Sequence, residues 1–201
     1  MKRYFANMPK YIAAIGMLIC SLSISLVGLG QTKYQSVGGV KLVVEGTSNI
    51  HDWDMTSKQG TCSAEFLFSP GGHLAGLSSL QFSVPAESLK SDKKAMDNNT
   101  YKALNTSKYS TISFTASSAT IQPNGSGFIL TTRGNLTISG VTRVVDLIAH
   151  GVINPDKTIT YSGTYKLKMT DFKVTPPSIM FGAIKTGDAV TVKFDLTLKA
   201  I

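Results

Sequence analysis

The sequence predicts an all-β protein, an antiparallel sheet of roughly eight strands closed as a sandwich or a barrel, with one short helical insertion. Three observations predict it. Apolar and polar residues alternate with a period of two, most cleanly near the C-terminus. There Val190, Val192, Phe194, Leu196 and Leu198 share one face, and Thr191, Lys193, Asp195, Thr197 and Lys199 share the other. Turn-forming clusters separate the alternating segments. Only one stretch breaks the alternation.

Composition excludes several other classes. Hydrophobic residues make up 42% of the 201, too many for a disordered chain. Charged residues make up only 16%. The 18 glycines show no collagen period, and two cysteines are too few for a disulfide scaffold.

Residues 1–30 read as a separate object, a signal peptide. Lys2, Arg3 and Lys10 supply the basic start, and Tyr11 to Gly30 then runs without a charge. A spanning helix needs about 20 apolar residues, so length alone does not decide against an anchor. Gly28 and Gly30 are the small residues that signal peptidase requires, and no basic stop-transfer cluster follows. Cleavage is expected near Gly30, leaving residues 31–201 as one exported domain, periplasmic or secreted. Cys20 is preceded by Ile19, which is not small, so a lipidated cysteine is not expected. With the segment go three of the positive charges that make up the net +8. Cys62 is then alone and reads as a small buried apolar residue.

The strands follow in order. Val40, Leu42 and Val44 alternate weakly, as do Ala64, Phe66 and Phe68. Ser69-Pro70-Gly71-Gly72 is a turn. Leu80, Phe82 and Val84 form the next apolar face. Ser91 to Ser107 lacks alternation and reads as a helical flap, with Ser91 as its cap and Asp92 in its first turn. Ile112, Phe114 and Ala116 resume the strand pattern, and Pro123 to Gly127 is a hairpin in which Asn124-Gly125 suits positive φ. From Val144 to Ile153 both faces are apolar, which predicts a better-buried strand. Asn154 to Lys157 turns the chain. Tyr165, Leu167 and Met169 alternate with lysines and threonine, and Thr186-Gly187-Asp188 precedes the last strand.

The chain offers little chemistry. His51, His73 and His150 have no metal-ligand spacing, and Cys62 completes no site. No P-loop, dinucleotide fingerprint or nucleophile elbow occurs. A catalyst is therefore not expected. Nucleic acid is not expected either, because the phenylalanines share the apolar faces instead of interleaving with basic residues. Lys90, Lys93, Lys94, Lys102 and Lys108 crowd the flap. They read first as a solvated surface, and second as a salt-dependent contact with anionic head groups. Ile50-His51-Asp52-Trp53 holds the one tryptophan, with His51 two residues away. The pair reads as a core Trp beside a hydrogen-bonded His, or as a polar mouth on an apolar cavity.

Gly46 through Trp53, Tyr101-Lys102-Ala103-Leu104, Lys108 through Phe114, Gly134 through Arg143, and Lys168 through Val190 follow one another in an order that resembles the YceI-like, polyisoprenoid-binding family. Ser110 stands where that family's K-Y-P-x-I-x-F stretch has proline, and Gly134-Asn135-Leu136-Thr137-Ile138 is similar to its G-x-L-T-I strand. The resemblance spans residues 38–199. It implies a lipocalin-like antiparallel barrel with a hydrophobic tunnel, a long isoprenoid or quinone-like lipid inside, no other cofactor, and a periplasmic or secreted location. Ile50-His51-Asp52-Trp53 and Pro176-Pro177 look like the shorter, divergent members.

An apolar site of this kind needs no motif. Each buried CH₂ contributes about 0.8 kcal/mol, and micromolar binding needs roughly 8 kcal/mol, so about ten methylenes suffice before association costs. The expected lining is Phe66, Phe68, Phe82, Phe114, Leu136, Ile138, Met169 and Phe194, with His51 and Trp53 at a polar mouth. The sequence is compatible with transient contact with a membrane surface and with pairing of two copies. Two alternatives remain: a ligand-free structural module with a solid β core, and a small outer-membrane barrel.

Overall fold

The computed structural model describes residues 29–201. The apolar segment read as a signal peptide, with Cys20, lies outside the described residues except for its last two positions. The elements are β1 (Gly30–Ser48), β2 (Trp53–Phe68), β3 (Leu74–Pro85), α1 (Lys94–Leu104), β4 (Thr111–Asn124), β5 (Gly127–Ile138), β6 (Val141–Ile153), β7 (Ile159–Lys168), β8 (Ser178–Ile179) and β9 (Ile184–Ala200).

Each strand pairs antiparallel with its neighbour, and β1 pairs with β9, so eight strands close into a barrel and β8 adds to β9 as a short ninth. Closure leaves no free edge between the first and last barrel strands. Register across it is fixed by Leu42 opposite Phe194 and Val44 opposite Val192. β1 bulges at Gly38 and Gly39, whose φ values of 73° and 78° are open to glycine and costly for other residues. A Cβ on Gly39 would also strike the Lys58 carbonyl. The bulge bends the long strand around the barrel.

Alternation sorts the two faces as expected of a half-buried sheet. Val40, Leu42, Phe66, Val84, Phe114, Leu196 and Leu198 are buried inside. The outer wall carries charge, including Lys193 on Glu45 and Arg133 on Asp146. Such exposed pairs contribute little to stability. A charged outer wall around an apolar interior is the opposite of an outer-membrane barrel, whose apolar side faces lipid.

Two seams leave the barrel partly unzipped. β3 and β4 pair only near one end, from Gln81–Thr115 to Pro85–Thr111. α1 is inserted between them there. β6 and β7 pair only near the other end, from Ala149–Gly163 to Ile153–Ile159. The open part of that seam is plugged by the segment after β7, where Phe172 and Val174 are buried against Phe114, Leu136 and Val145. Thr170 holds this plug by donating from its N–H and its hydroxyl to Asp188, at 2.9 and 2.7 Å.

Several expectations need correction. β6 is not better buried: Val144, Ile148, Val152 and Ile153 are exposed on the outer wall. Ser91 does not cap α1. Lys93 holds the cap position without a side-chain bond, and Asp97 of the first turn accepts hydrogen bonds from the Ser91 N–H and hydroxyl instead. Thr186, Gly187 and Asp188 lie inside β9 and not before it, and Met169 lies just beyond β7. In the β4–β5 hairpin Gly125 alone supplies the positive φ, and Asn124 still belongs to the strand.

Candidate functional site

The interior is hollow toward one end. That end is ringed by α1, the β1–β2 connection and the β7–β9 segment. An upper chamber of about 410 Å³ lies beneath them. A lower chamber of about 160 Å³ continues it into the barrel. The two share Val44, Leu89, Ile112, Ile138, Leu167 and Val192 in their walls. The volume of the upper chamber falls in the usual range for small-molecule sites.

The helix is the roof. Met96, Ala103 and Leu104 of α1 face the chamber, and Leu89, Met55 and Ile112 meet them below. Tyr101 ties the helix to the loop before it by donating to the carbonyls of Glu87 and Leu89 at 2.9 and 2.8 Å. Thr106 donates to Glu87 at 2.7 Å.

Polarity falls with depth. The upper chamber's rim carries Ser48, His51, Lys93, Asn99 and Thr186. The His51 Nδ1 donates to the Asp52 carbonyl at 2.7 Å. The Trp53 indole donates to the Thr47 carbonyl at 3.0 Å, and its ring lies flat over Gly46, the residue opposite it in the β1–β2 ladder. Any side chain at Gly46 would displace the indole. The lower chamber's wall is apolar apart from Thr132, Cys62, Tyr161 and Tyr165. Burial pushes the Cys62 thiol up to about 12, so it is not a nucleophile at neutral pH. Burial, with Cys62 and Tyr34 adding to it, also raises Tyr161 far above the ordinary phenol range. Its hydroxyl has no hydrogen-bond partner among the described residues.

Below the lower chamber the barrel is packed. Phe66 stacks on Tyr161 at 6.1 Å between centroids and meets Tyr34 edge-on at 5.3 Å. Tyr161 meets Phe128 edge-on at 5.5 Å. These rings, with Ile159 and Leu198, make a floor. The hydrophobic opening is therefore a cup, closed at its lower end.

The sequence-predicted residues divide accordingly. Phe82, Phe114, Leu136 and Phe194 line the lower chamber, Met169 the upper, and Ile138 both. His51 and Trp53 line the upper chamber. Phe66 and Phe68 do not line either; Phe66 belongs to the floor, and Phe68 packs beside Tyr34 below it. Sequence reasoning missed Met55, Leu89, Met96, Leu104, Phe172 and Val174. Ala95, Met96 and Leu104, spaced to fall loosely on one face of a helix, are the signal in the sequence for the roof.

Among the described residues no group of three or more His, Cys, Asp or Glu could hold a metal ion. No described helix is long and apolar enough to cross a membrane. What the arrangement can do is enclose an apolar chain under a polar rim.

The comparisons agree with this architecture. The chain is similar in fold to the BcnA protein of Burkholderia cenocepacia, with 21% identity, a TM-score of 0.63, and coverage of 79% of this chain and 95% of that one. It is similar to a polyisoprenoid-binding domain from Saccharophagus degradans implicated in plant cell wall breakdown, at 14% identity and TM-score 0.62, covering 86% and 100%. It is also similar to the Campylobacter jejuni YceI protein, at 18% identity and TM-score 0.51, covering 100% and 99%. No curated protein matches the chain in sequence. Residues 36–198 match the YceI-like domain, which takes in the barrel from β1 to near the end of β9, and the chain belongs to that family.

Proposed function

We propose that the protein is an exported, non-catalytic carrier that sequesters one long apolar lipid, of isoprenoid or quinone-like type, in the barrel. The observation that carries this reading is the continuous pair of apolar chambers beneath α1. A chain occupying them would bury methylenes at about 0.8 kcal/mol each and needs no charged anchor. The name of the Saccharophagus degradans domain, polyisoprenoid binding, supports the same ligand class. Residues 1–30 act in this reading as a cleaved signal peptide, leaving residues 31–201 in the periplasm or outside the cell.

Two alternatives are weaker. A ligand-free module has no use for hollow space under a hydrogen-bonded roof. An outer-membrane barrel would not put Lys193, Glu45, Arg133 and Asp146 on its outer wall.

The test is to express the full chain, purify it without detergent, extract it with organic solvent and analyse the extract by mass spectrometry. A stoichiometric isoprenoid or quinone is expected. An empty extract, repeated after incubation with membrane lipids, overturns the reading. The mass of the purified chain reports the cleavage site in the same preparation.

A further inference from the structure

At the rim, β8 and the start of β9 form a small hairpin, with Ser178 opposite Lys185 and Ile179 opposite Ile184. Its turn holds Met180, Phe181 and Gly182 at φ values of 53°, 54° and 92°. Two large non-glycine residues in succession in the left-handed region are sterically costly. Such a backbone persists only where its surroundings impose it. Asn49 does so: its side-chain N–H donates to the Ala183 carbonyl, and its side-chain oxygen accepts from the Lys185 N–H, both at 2.8 Å.

The result of this bracing is outward display. Phe181 is fully exposed, and Met180 is 68% exposed. Ile179 on the same hairpin and Ile50 on the adjoining β1–β2 connection are exposed as well, yet both also line the upper chamber. An apolar surface thus runs from outside the molecule over the rim and into the cavity. Contiguous exposed apolar surface of this kind marks an interaction site.

We propose that the Met180–Phe181 tip inserts into the interfacial layer of a lipid bilayer and places the rim on the membrane. The partner is a bilayer because the apolar path leads only into a cavity suited to an apolar chain. The charges at this end are of both signs, the flap lysines Lys90, Lys93, Lys94, Lys102 and Lys108 with Lys185 against Asp52, Glu87, Asp92, Asp97 and Asp188, but the tip itself, Ile179 through Ile184, carries none. Insertion of this uncharged tip is driven by apolar burial, needs no anionic head groups, and persists at high salt. The inference takes its purpose from the carrier reading but is tested separately from it.

The test uses the full chain, purified without detergent, and vesicles of phosphatidylcholine alone. Wild-type protein should co-sediment with them at both low and high salt. Phe181→Ser should weaken partitioning about tenfold or more, since the ring would otherwise be buried. Ile148→Ser, which removes an exposed apolar residue from the outer wall, should leave it unchanged. In a Trp53→Phe background, Phe181→Trp should shift its emission to the blue and be quenched by brominated lipid. Absence of vesicle binding, binding insensitive to Phe181→Ser, or a Phe181→Ser effect on solution mass in place of vesicle binding overturns the proposal, the last assigning the tip to a second copy. Solvent extraction of the same samples separates the two readings. Lipid-loaded protein that ignores vesicles overturns docking alone. An empty protein that still docks through Phe181 overturns the carrier reading and leaves docking standing.

Discussion

Phe194 stands directly opposite Gly163 in the β7–β9 ladder, and its ring lies over the glycine backbone in the space that a side chain there would fill. The missing side chain lets the ring lie back against the wall, where it lines the lower chamber without crossing it. Trp53 over Gly46 repeats the device at the rim. Pairing an aromatic with glycine across neighbouring strands is a known way to support glycine in a sheet. Here it also keeps the barrel open.

Gly163→Val should close the lower chamber. A Cβ at this position meets the Phe194 ring and comes within 2.7 Å of the Ile148 carbonyl, so backbone as well as ring must give. Overpacking of this kind costs about 1–3 kcal/mol. The expected result is a lower urea midpoint with an unchanged m-value, together with reduced lipid in the solvent extract. An unchanged lipid content would show that the lower chamber is not used.

Tyr161→Phe should raise stability. The hydroxyl is buried without a partner, and an unsatisfied buried polar group costs about 1–3 kcal/mol. A gain of about 1 kcal/mol in urea unfolding of lipid-free protein is expected. A loss instead would mean that a water or a ligand atom satisfies the hydroxyl in solution.

Cys62 should resist thiol reagents in the folded protein. Its thiol is buried and held at about 12, so almost no thiolate exists at pH 8. Labelling by a maleimide should proceed at the rate of unfolding and become fast in urea. Rapid labelling of the native state would place the chambers in open exchange with solvent.

Acid should loosen the rim before the barrel. Burial tends to raise the Asp97 carboxyl, but hydrogen bonds from Ser91 and the charge of Lys90 outweigh it and hold it below the usual range. Asp188 is held low first by the Thr170 hydroxyl and N–H. For carboxylates lowered in the folded state, the stabilisation is present above the ordinary value, about 4, and is lost as pH falls through the folded one. Hydrogen exchange in α1 and in residues 169–174 should therefore accelerate below about pH 4 while β1 and β9 stay protected. Asp188→Asn should remove most of that acid response from residues 169–174. Uniform exchange across the barrel at pH 3 would contradict a local latch.

The barrel strands were legible in the sequence because alternation reports which face of a strand is buried. Alternation does not report height along the barrel axis. Phe66 and Phe82 therefore looked alike, although one sits in the floor and the other in the chamber wall. β6 misled for a related reason: Val144 and Ile148 are apolar but face outward, and residue type alone does not distinguish an exposed valine from a buried one. The plug around Phe172 and the Asn49 brace were illegible because both depend on contacts between segments distant in sequence. The Met180–Gly182 tip left no periodic trace at all, being a turn of three residues.

The aromatic floor decides how cargo would move. A molecule sealed at its base works as a ladle and not as a pipe. Whatever slides in must back out past α1, and the segment that entered first leaves last. Filling and emptying then exclude one another in time. Delivery from one surface to another would require the whole molecule to let go, turn and present the same lip again. Its pace would be set by release from the surface and not by travel along the bore.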